Sequence, residues 1–221
     1  MVLQRNANVP VWGWADPGQQ ITVTCAGQTV SGTTDANGRW RAVLSPMSVG
    51  GPHTMVVTGG TTTLTYTNIM IGDVWITSGQ SNMEITFSMA PPYGDPTQSP
   101  KDDVPDLRYF RISFNFSHRN PVEDIKTVDA LQIGGDRTGG AKGNYRATKP
   151  WRPMTAANAP KANAVGYYFG RKLQTTLKIP IGIIDNSAGG SKLETWFTHY
   201  CPVGNKTSFT LADTTNMKIL N

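Results

Sequence analysis

Residues 69–84 read Ile-Met-Ile-Gly-Asp-Val-Trp-Ile-Thr-Ser-Gly-Gln-Ser-Asn-Met-Glu, and this stretch decides how the chain is interpreted. Its first half is an apolar run without clean alternation, which predicts a strand covered on both faces, as in an α/β sheet. Its second half is predicted to place Ser81 on a turn, beside Gly79 and the side-chain amide of Gln80. Hydrolases expose a serine nucleophile in this way, at the end of a buried strand.

The composition excludes several classes of protein. With 221 residues, the chain is long enough for one large domain or two small ones. No apolar run approaches the roughly 20 residues of a membrane-spanning helix, so we expect no membrane insertion. The formal net charge is +5, but the basic residues are scattered, and we expect no nucleic-acid binding. The two cysteines, Cys25 and Cys201, indicate neither a disulfide framework nor a metal site.

Residues 1–67 are predicted to form a small β-sandwich domain. Apolar and polar residues alternate in four runs, whose apolar members are Ile21, Val23 and Cys25, then Trp40, Ala42 and Leu44, then Met55 and Val57, then Leu64 and Tyr66. The Asn37-Gly38 pair lies between the first two runs and predicts a tight hairpin turn. Short strands at regular spacing are typical of a sandwich, here a stabilising module without a site of its own.

Residues 68–221 are predicted to form an α/β domain. Residues 107–112 indicate a second strand, and a helix at 162–177 followed by a strand at 179–184 is half of a βαβ unit, which predicts a parallel sheet. The helix carries an apolar stripe made of Val165, Tyr168, Phe169, Leu173 and Leu177. Residues 134–153 read as a Gly-rich, basic surface loop whose spacing does not match a phosphate-binding loop.

A second loop at a strand end, residues 185–196, reads Asp-Asn-Ser-Ala-Gly-Gly-Ser-Lys-Leu-Glu-Thr-Trp. Its tandem glycines, Gly189 and Gly190, let the backbone approach a ligand closely and leave N–H groups to point at it. Because active sites in open α/β sheets gather at the carboxyl ends of strands, we expect this loop to meet the Ser81 turn. The structural alternative for Ser81 is a helix N-cap, since a serine before a helical start accepts backbone N–H bonds.

These motifs resemble those of the sialate O-acetylesterase-like SGNH hydrolases, a family of carbohydrate esterases. Residues 72–84 are similar to the family's first sequence block, and residues 180–196 to its second, with Gly-Gly-Ser-x-x-Glu-x-Trp. Residues 1–15 and the Asp-x-x-Gly-x-Trp pattern at 35–40 resemble the family's β-domain. The resemblance implies an SGNH-type, flavodoxin-like parallel sheet in an α/β domain that follows the N-terminal small β-sandwich.

The resemblance also implies an activity, the hydrolysis of O-acetyl esters on sialate, xylan or another glycan through an acyl-enzyme, without metal or cofactor. Ser81 would be the nucleophile. The backbone N–H groups of Ser81 and of Gly189 or Gly190 would form the oxyanion hole. Supporting or substrate-binding roles are implied for the four side chains Gln80, Asn82, Glu84 and Glu194.

The family's base is missing from the chain. It is a histidine in an Asp-x-x-His element, and a further block, Gln-Gly-Glu-x-Asn, supplies an asparagine, but neither pattern occurs here. His53 is expected in a turn of the β-domain and His118 in a loop. His199 follows the glycine block and is the candidate substitute base. Its potential partner Asp185 lies in a strand-end turn, where an Asx-type structural role is common.

The missing elements lead to two explanations. Either the chain is a fragment, truncated at both ends with an incomplete catalytic domain, or a second piece of a processed protein supplies the histidine. A parallel sheet without its later strands exposes an edge and an apolar face, so we expect a homo-oligomer or a second chain that completes the fold. The alternative function is an inert homologue that binds a glycan or a protein. The resemblance implies a periplasmic or secreted location, whereas the lack of a signal peptide leaves the cytoplasm open.

Overall fold

The computed structural model describes residues 1–89, 96–112 and 149–191. The first part of the chain forms strands β1 (Val2–Gln4), β2 (Val9–Trp14), β3 (Gln20–Cys25), β4 (Gln28–Thr33), β5 (Arg39–Leu44), β6 (Gly50–Gly59) and β7 (Thr62–Gly79). The second part contains α1 (Ser81–Glu84), β8 (Val104–Arg111), β9 (Lys149–Met154), α2 (Ala164–Leu177) and β10 (Ile181–Ser187). The prediction of an early β region followed by an α/β region is therefore confirmed.

The long strand β7 belongs to both regions. Its first part pairs antiparallel with β6, and its last part, from Asp73 to Gly79, pairs parallel with β10. The continuous sheet has the order β4-β3-β6-β7-β10-β8-β9, and β1 runs parallel to β7 at residues 70–72. β10 is also parallel to β8, which confirms the predicted parallel pairing around a helical connection. Strand β9 is antiparallel to β8, so the sheet is mixed.

The sandwich core follows the alternation of the sequence. β3 buries Ile21, Val23 and Cys25, and β5 buries Trp40, Ala42 and Leu44. These side chains come from two different sheets, because β5 pairs with β2 in a separate two-stranded sheet, and they form a single hydrophobic cluster. In the last predicted run, Leu64 and Tyr66 lie in a strand but remain exposed.

The Asn37-Gly38 turn forms, but the predicted hairpin is wrong. Gly38 has a φ of 76°, and the Asp35 carboxylate accepts the N–H groups of Asn37 and Arg39 at 2.8 and 2.9 Å. The strands on either side do not pair with each other, since β4 pairs with β3 and β5 pairs with β2. A turn dipeptide fixes local geometry, whereas the strand partner is set by distant packing. The turn therefore carries the chain from one sheet to the other.

Two other sequence predictions also need correction. His53 was expected in a turn, but it lies in β6 and pairs with Ile69 of β7. Residues 149–153 were assigned to a surface loop, but they belong to β9, where Trp151 packs on Phe110 with ring centroids 5.6 Å apart. β9 pairs with β8, which is distant in the sequence, and a local pattern does not encode such a pairing. His53 belongs to β6 because this strand begins at Gly50, before the alternation at Met55 and Val57. The rest of that predicted loop lies outside the described residues.

Helix α2 was predicted correctly in extent but not in orientation. Four members of its apolar stripe, Val165, Tyr168, Phe169 and Leu177, are between 40% and 51% exposed. The buried positions are Gly166, Tyr167 and Gly170. A Cβ on Gly170 would lie 2.6 Å from Leu107 Cδ1, so the glycine lets the helix approach the sheet closely. Within the described ranges, no helix is long and apolar enough to cross a membrane.

The division between the two predicted domains, 1–67 and 68–221, stays a proposal. Buried apolar residues form one cluster between residues 3 and 71 and another between residues 87 and 183. Asn68, with a φ of 58°, lies at the junction within β7. The Arg108 guanidinium donates to the Asn68 carbonyl at 2.5 Å and to the Asn68 side-chain oxygen at 2.8 Å. These hydrogen bonds connect β8 to the junction.

The start of α2 provides a test of this architecture. Asn163 is fully buried and its side-chain oxygen caps the helix by accepting the Gly166 N–H. We expect Asn163→Ala to lower the free energy of unfolding by about 1–2 kcal/mol, because a lost N-cap typically costs this much. Urea denaturation measures the change, with Thr176→Ala, at an exposed position of the same helix, as the control. Equal stability of the two variants would contradict the capping role.

Candidate active site

Ser81 lies on a tight turn between the end of β7 and helix α1. The turn requires Gly79, whose φ is 140° and whose Cβ, if present, would lie 2.8 Å from Met83 Cγ. Ser81 is exposed, and its hydroxyl donates to Gln80 Oε1 at 2.8 Å. It is the first helical residue, while Gln80 occupies the N-cap position. The alternative interpretation of Ser81 as an N-cap is therefore wrong.

The glycine block follows β10 in the same way that Ser81 follows β7. The last paired residues of the two strands are Ser187 and Gly79, and the Ala188 N–H donates to the Gly79 carbonyl at 2.8 Å. A Cβ built on Gly189 would lie 3.7 Å from Ser81 Cα. The two loops therefore meet, as their positions at the carboxyl ends of parallel strands predict.

Glu84 links the Ser81 turn to the glycine loop through a hydrogen bond. It is the last residue of α1, its side chain is buried, and its Oε2 atom accepts the N–H of Gly189. The Gly189 N–H is thus engaged inside the protein. Gly190 has a φ of 79°, and its N–H makes no hydrogen bond within the described part of the chain. The flanking side chains of Gln80 and Asn82 are exposed at the surface of the turn.

A buried carboxylate lies directly beneath the glycine loop. Asp185 is fully buried and accepts hydrogen bonds from the Tyr109 hydroxyl at 2.5 Å and from the Ser187 hydroxyl at 2.5 Å. It also accepts the Ser187 N–H at 3.1 Å, and Arg111 Nε lies 3.4 Å from its Oδ2. A buried charge needs such partners, because an unpaired one would be strongly destabilising. The hydrogen bond that Asp185 accepts from the Ser187 N–H, two residues later in the chain, is the Asx-type structural role that the sequence predicts for it.

The same network continues to β7 and α2. The Asn163 N–H donates to the Tyr109 hydroxyl at 3.0 Å, and the Asn163 side chain donates to Thr77 Oγ1 at 3.3 Å. Burial, and then the negative charge of Asp185, raise the pKa of Tyr109 well above its ordinary value, so the hydroxyl stays protonated as a donor. Sequence reasoning missed Tyr109, Thr77 and Asn163. Only the asparagine immediately before the helix carried a readable signal, that of an N-cap.

Several residues considered from the sequence are not part of the described site. His118, Glu194 and His199 fall outside the described residues, so the candidate substitute base has no described position. His53 is the one histidine within the described ranges, and it belongs to the sandwich part of the sheet. In residues 1–89, 96–112 and 149–191, no group of three His, Cys, Asp or Glu side chains could hold a metal ion.

The contact between Glu84 and Gly189 can be tested by two substitutions. We expect Glu84→Ala to lower the free energy of unfolding by about 1.5–3 kcal/mol, the range for a hydrogen bond to a charged group. Glu84→Gln retains an acceptor oxygen, so its loss should be smaller. Urea denaturation and amide hydrogen exchange measure the two effects, and Gly189 should exchange faster in the alanine variant. Equal losses in both variants, or unchanged exchange at Gly189, would contradict the contact.

Comparisons with known proteins agree with the motifs. No family model matches the chain. The sialate O-acetylesterase of Mus musculus is 31% identical over 214 residues, covering 89% of this chain and 35% of that protein. That of Homo sapiens is 28% identical over 212 residues, covering 89% of this chain and 36% of that protein.

A solved structure is also similar. It is a carbohydrate acetylesterase from Xanthomonas citri, with a TM-score of 0.69 and 32% identity over 88% of this chain and 39% of that chain. The chain thus spans little more than a third of the length of these relatives. With the serine and glycine motifs and the α/β fold, these similarities identify the chain as an SGNH-like esterase homologue related to the sialate O-acetylesterases.

Proposed function

We propose that the chain carries the nucleophile and part of the oxyanion hole of a carbohydrate O-acetylesterase. The observation that carries the proposal is the contact between the Ser81 turn and the Gly189 turn at the ends of two parallel strands. The relatives are named sialate O-acetylesterase and carbohydrate acetylesterase, which supports an acetylated sialate, xylan or other glycan as the substrate. By the same resemblance, we assign the protein to the periplasm or the cell exterior.

The proposed reaction proceeds through an acetyl-serine. Ser81 Oγ attacks the acetyl carbonyl carbon and loses its proton to a base, and the sugar oxygen leaves as an alcohol after taking up a proton. Water then attacks the acetyl-serine and releases acetate. Negative charge develops on the carbonyl oxygen in each tetrahedral transition state, and each lost hydrogen-bond donor there raises the barrier by about 2.7–4 kcal/mol.

We assign the oxyanion donors to the N–H groups of Ser81 and Gly190. Both Gly189 and Gly190 match the sequence motif, but the Gly189 N–H is engaged by the buried Glu84 carboxylate. Glu84 is therefore a positioning residue that holds the glycine loop against α1. The exposed Gln80 and Asn82 flank the nucleophile and would contact the substrate. Glu194, outside the described residues, remains a supporting residue by resemblance alone.

The base is the part of the site that the described residues do not supply. A serine hydroxyl needs a base to become an effective nucleophile. We assign this role to His199 or, alternatively, to a histidine of a second chain. No cofactor or metal takes part in this scheme.

A second function is favoured by one observation. The hydrogen-bond acceptor of the Ser81 hydroxyl is an amide oxygen of Gln80, which cannot remove a proton at neutral pH. A chain without a base would keep Ser81 as an inert residue. It would then act as a glycan-binding or protein-binding module.

Turnover of p-nitrophenyl acetate by the full chain tests the first proposal. We expect Ser81→Ala to reduce the rate by about 10³-fold or more, because a nucleophile substitution removes the covalent route. Ser78→Ala is the matched control, since Ser78 is also an exposed serine at the end of β7. His199→Ala should reduce the rate similarly if His199 is the base.

The outcomes separate the two functions. Turnover that is equal in the wild type and Ser81→Ala would show that Ser81 is not the nucleophile. Absence of turnover in the wild type would favour the inert binding module. Loss of turnover in Ser81→Ala together with full activity in His199→Ala would show that Ser81 is the nucleophile and exclude His199 as the base.

The free edge of β7 supports the expectation of a partner. The Asp73 N–H donates to Pro180 on the β10 side, and the Val74 N–H donates to Gln4 Oε1 on the opposite side. Because successive residues alternate, the backbone groups of Ile76 and Ser78 point to that second edge, where no strand pairs with them in the described part of the chain. Such an edge readily pairs with another strand.

The side chains around this edge are apolar and exposed. Trp75 and Ile76 are 44% and 51% exposed, and Trp75 packs on Phe169 of α2 with ring centroids 5.3 Å apart. The exposed stripe of α2 thus continues the apolar surface of the edge. We propose that a second copy of the chain, or a different chain that completes the fold, covers this surface.

We expect the isolated chain to self-associate through this edge. Ile76→Lys should shift the protein towards the monomer, because a lysine on an edge strand opposes strand pairing. Light scattering after size-exclusion chromatography measures the mass, and Val49→Lys, at an exposed apolar position in the sandwich region, is the control. A monomeric wild type would contradict self-association and leave the second chain as the partner.

A further inference from the structure

The outer face of the two-stranded sheet carries an unusual group of side chains. In β2 and β5, cross-strand partners share a face, and the register pairs Pro10 with Val43, Trp12 with Arg41, and Trp14 with Arg39. The opposite face of the same sheet is buried in the sandwich core through Trp40, Ala42 and Leu44. We call the exposed side of this sheet, formed by Trp12, Trp14, Arg39 and Arg41, the tryptophan–arginine face.

The two indole rings form one aromatic surface. Trp12 is 37% and Trp14 47% exposed, and their ring centroids lie 5.3 Å apart in an edge-to-face arrangement. Neither ring belongs to the hydrophobic core, which lies on the other side of the sheet. Adjacent large apolar side chains at the surface are informative, since single scattered ones are ordinary. The pair is therefore available to a ligand.

Positive charge lies next to the aromatic rings. Arg41 is exposed across the strand from Trp12, and no acidic side chain in the described part of the chain forms an ion pair with it. A guanidinium binds a carboxylate through two parallel hydrogen bonds. The negative π face of an indole attracts groups with a positive edge, such as the C–H bonds of a sugar ring. Aromatic and cationic groups together match a sugar that bears a carboxylate.

The size of the face argues against a protein partner. Strands lie about 4.8 Å apart and rise about 3.4 Å per residue, so two six-residue strands present on the order of 200 Å². A stable protein interface buries about 800 Å² on each side. A nucleic acid requires a longer basic groove, with a site size of about 4–16 nucleotides. An oligosaccharide needs only a few ring contacts.

We propose that the tryptophan–arginine face binds carboxylated glycans. The sugar rings stack on Trp12 and Trp14, and the carboxylate pairs with Arg41. This site lies in the sandwich part of the chain, which was expected to have no site of its own. Binding at this face involves no chemical reaction, so the proposal does not depend on the role of Ser81.

Calorimetric titration of the full chain tests the proposal with a galacturonate trimer and a neutral galactose trimer as probes. We expect the acidic trimer to bind at least about tenfold more tightly, a difference of about 1.4 kcal/mol. Arg41→Gln should abolish this preference, whereas Trp14→Ala should weaken both trimers by about tenfold. Tyr66→Ala, which removes an exposed aromatic ring of β7, should leave both affinities unchanged. Circular dichroism verifies that the variants fold.

Four results would overturn the proposal. The first is that neither trimer binds, and the second is that both trimers bind but Trp14→Ala does not weaken them. The third is that oligothymidine binds as tightly as the acidic trimer. The fourth is that the chain self-associates and Trp14→Ala abolishes this association. The third result would indicate a general anion surface and the fourth a protein interface. Turnover of p-nitrophenyl acetate reads the Ser81 site separately, so failure here leaves the proposed hydrolysis untouched.

Discussion

The parallel pairing of β7 with β10 is the constraint on which the rest of the structure depends. Seven residues of each strand are in register, from Asp73 opposite Ile181 to Gly79 opposite Ser187. Because neighbouring strands lie about 4.8 Å apart, two strands that end level place their following loops side by side. The serine turn and the glycine turn thereby meet, although Glu84 and Gly189 are 105 residues apart in the chain. A slip of one residue would reverse every side chain on one strand.

On the other side of β10, buried polar groups make its parallel pairing with β8 specific. Asp185 is fully buried, and its partners come from two strands: Ser187 from β10, and Tyr109 and Arg111 from β8. Any other register between β10 and β8 would separate the carboxylate from Tyr109 and Arg111 and weaken the pairing of a buried charge, which costs far more than a lost apolar contact. Glu84 adds a second buried carboxylate above the strand ends. The site geometry thus rests on two buried carboxylates, neither of which touches the substrate in the proposed reaction.

The sequence predicted the features that depend on local chemistry. The Ser81 turn follows from an apolar strand and a glycine, and the extent of α2 follows from its periodicity. The buried face of α2 could not be predicted in the same way, because Gly166, Tyr167 and Gly170 are buried while most of the predicted apolar stripe is exposed. A hydropathy pattern assigns the most apolar residues to the interior, whereas close approach of this helix to the sheet requires Gly170, where a Cβ would meet Leu107.

Features that depend on distant partners were not predictable from local patterns. The Asn37-Gly38 turn was located correctly, yet its flanking strands belong to different sheets. The hydrogen bond between Tyr109 and Asp185 joins residues 76 positions apart, and nothing in either local stretch indicates it. The same holds for the tryptophan–arginine face, because the proximity of Trp12 to Arg41 appears only when the strand register is known.

The most direct test of the account is a cross-link across the β7–β10 pair. Ser78 and Asn186 are direct partners, neither is buried, and opposite residues on paired strands lie within reach of a disulfide. Ser78→Cys combined with Asn186→Cys, in a Cys201→Ser background, should form one disulfide under mild oxidation of the folded protein. Mass spectrometry of the digested protein should then show a peptide that links positions 78 and 186. Free thiols at both positions in the folded, oxidised protein would contradict the register and, with it, the meeting of the serine and glycine turns.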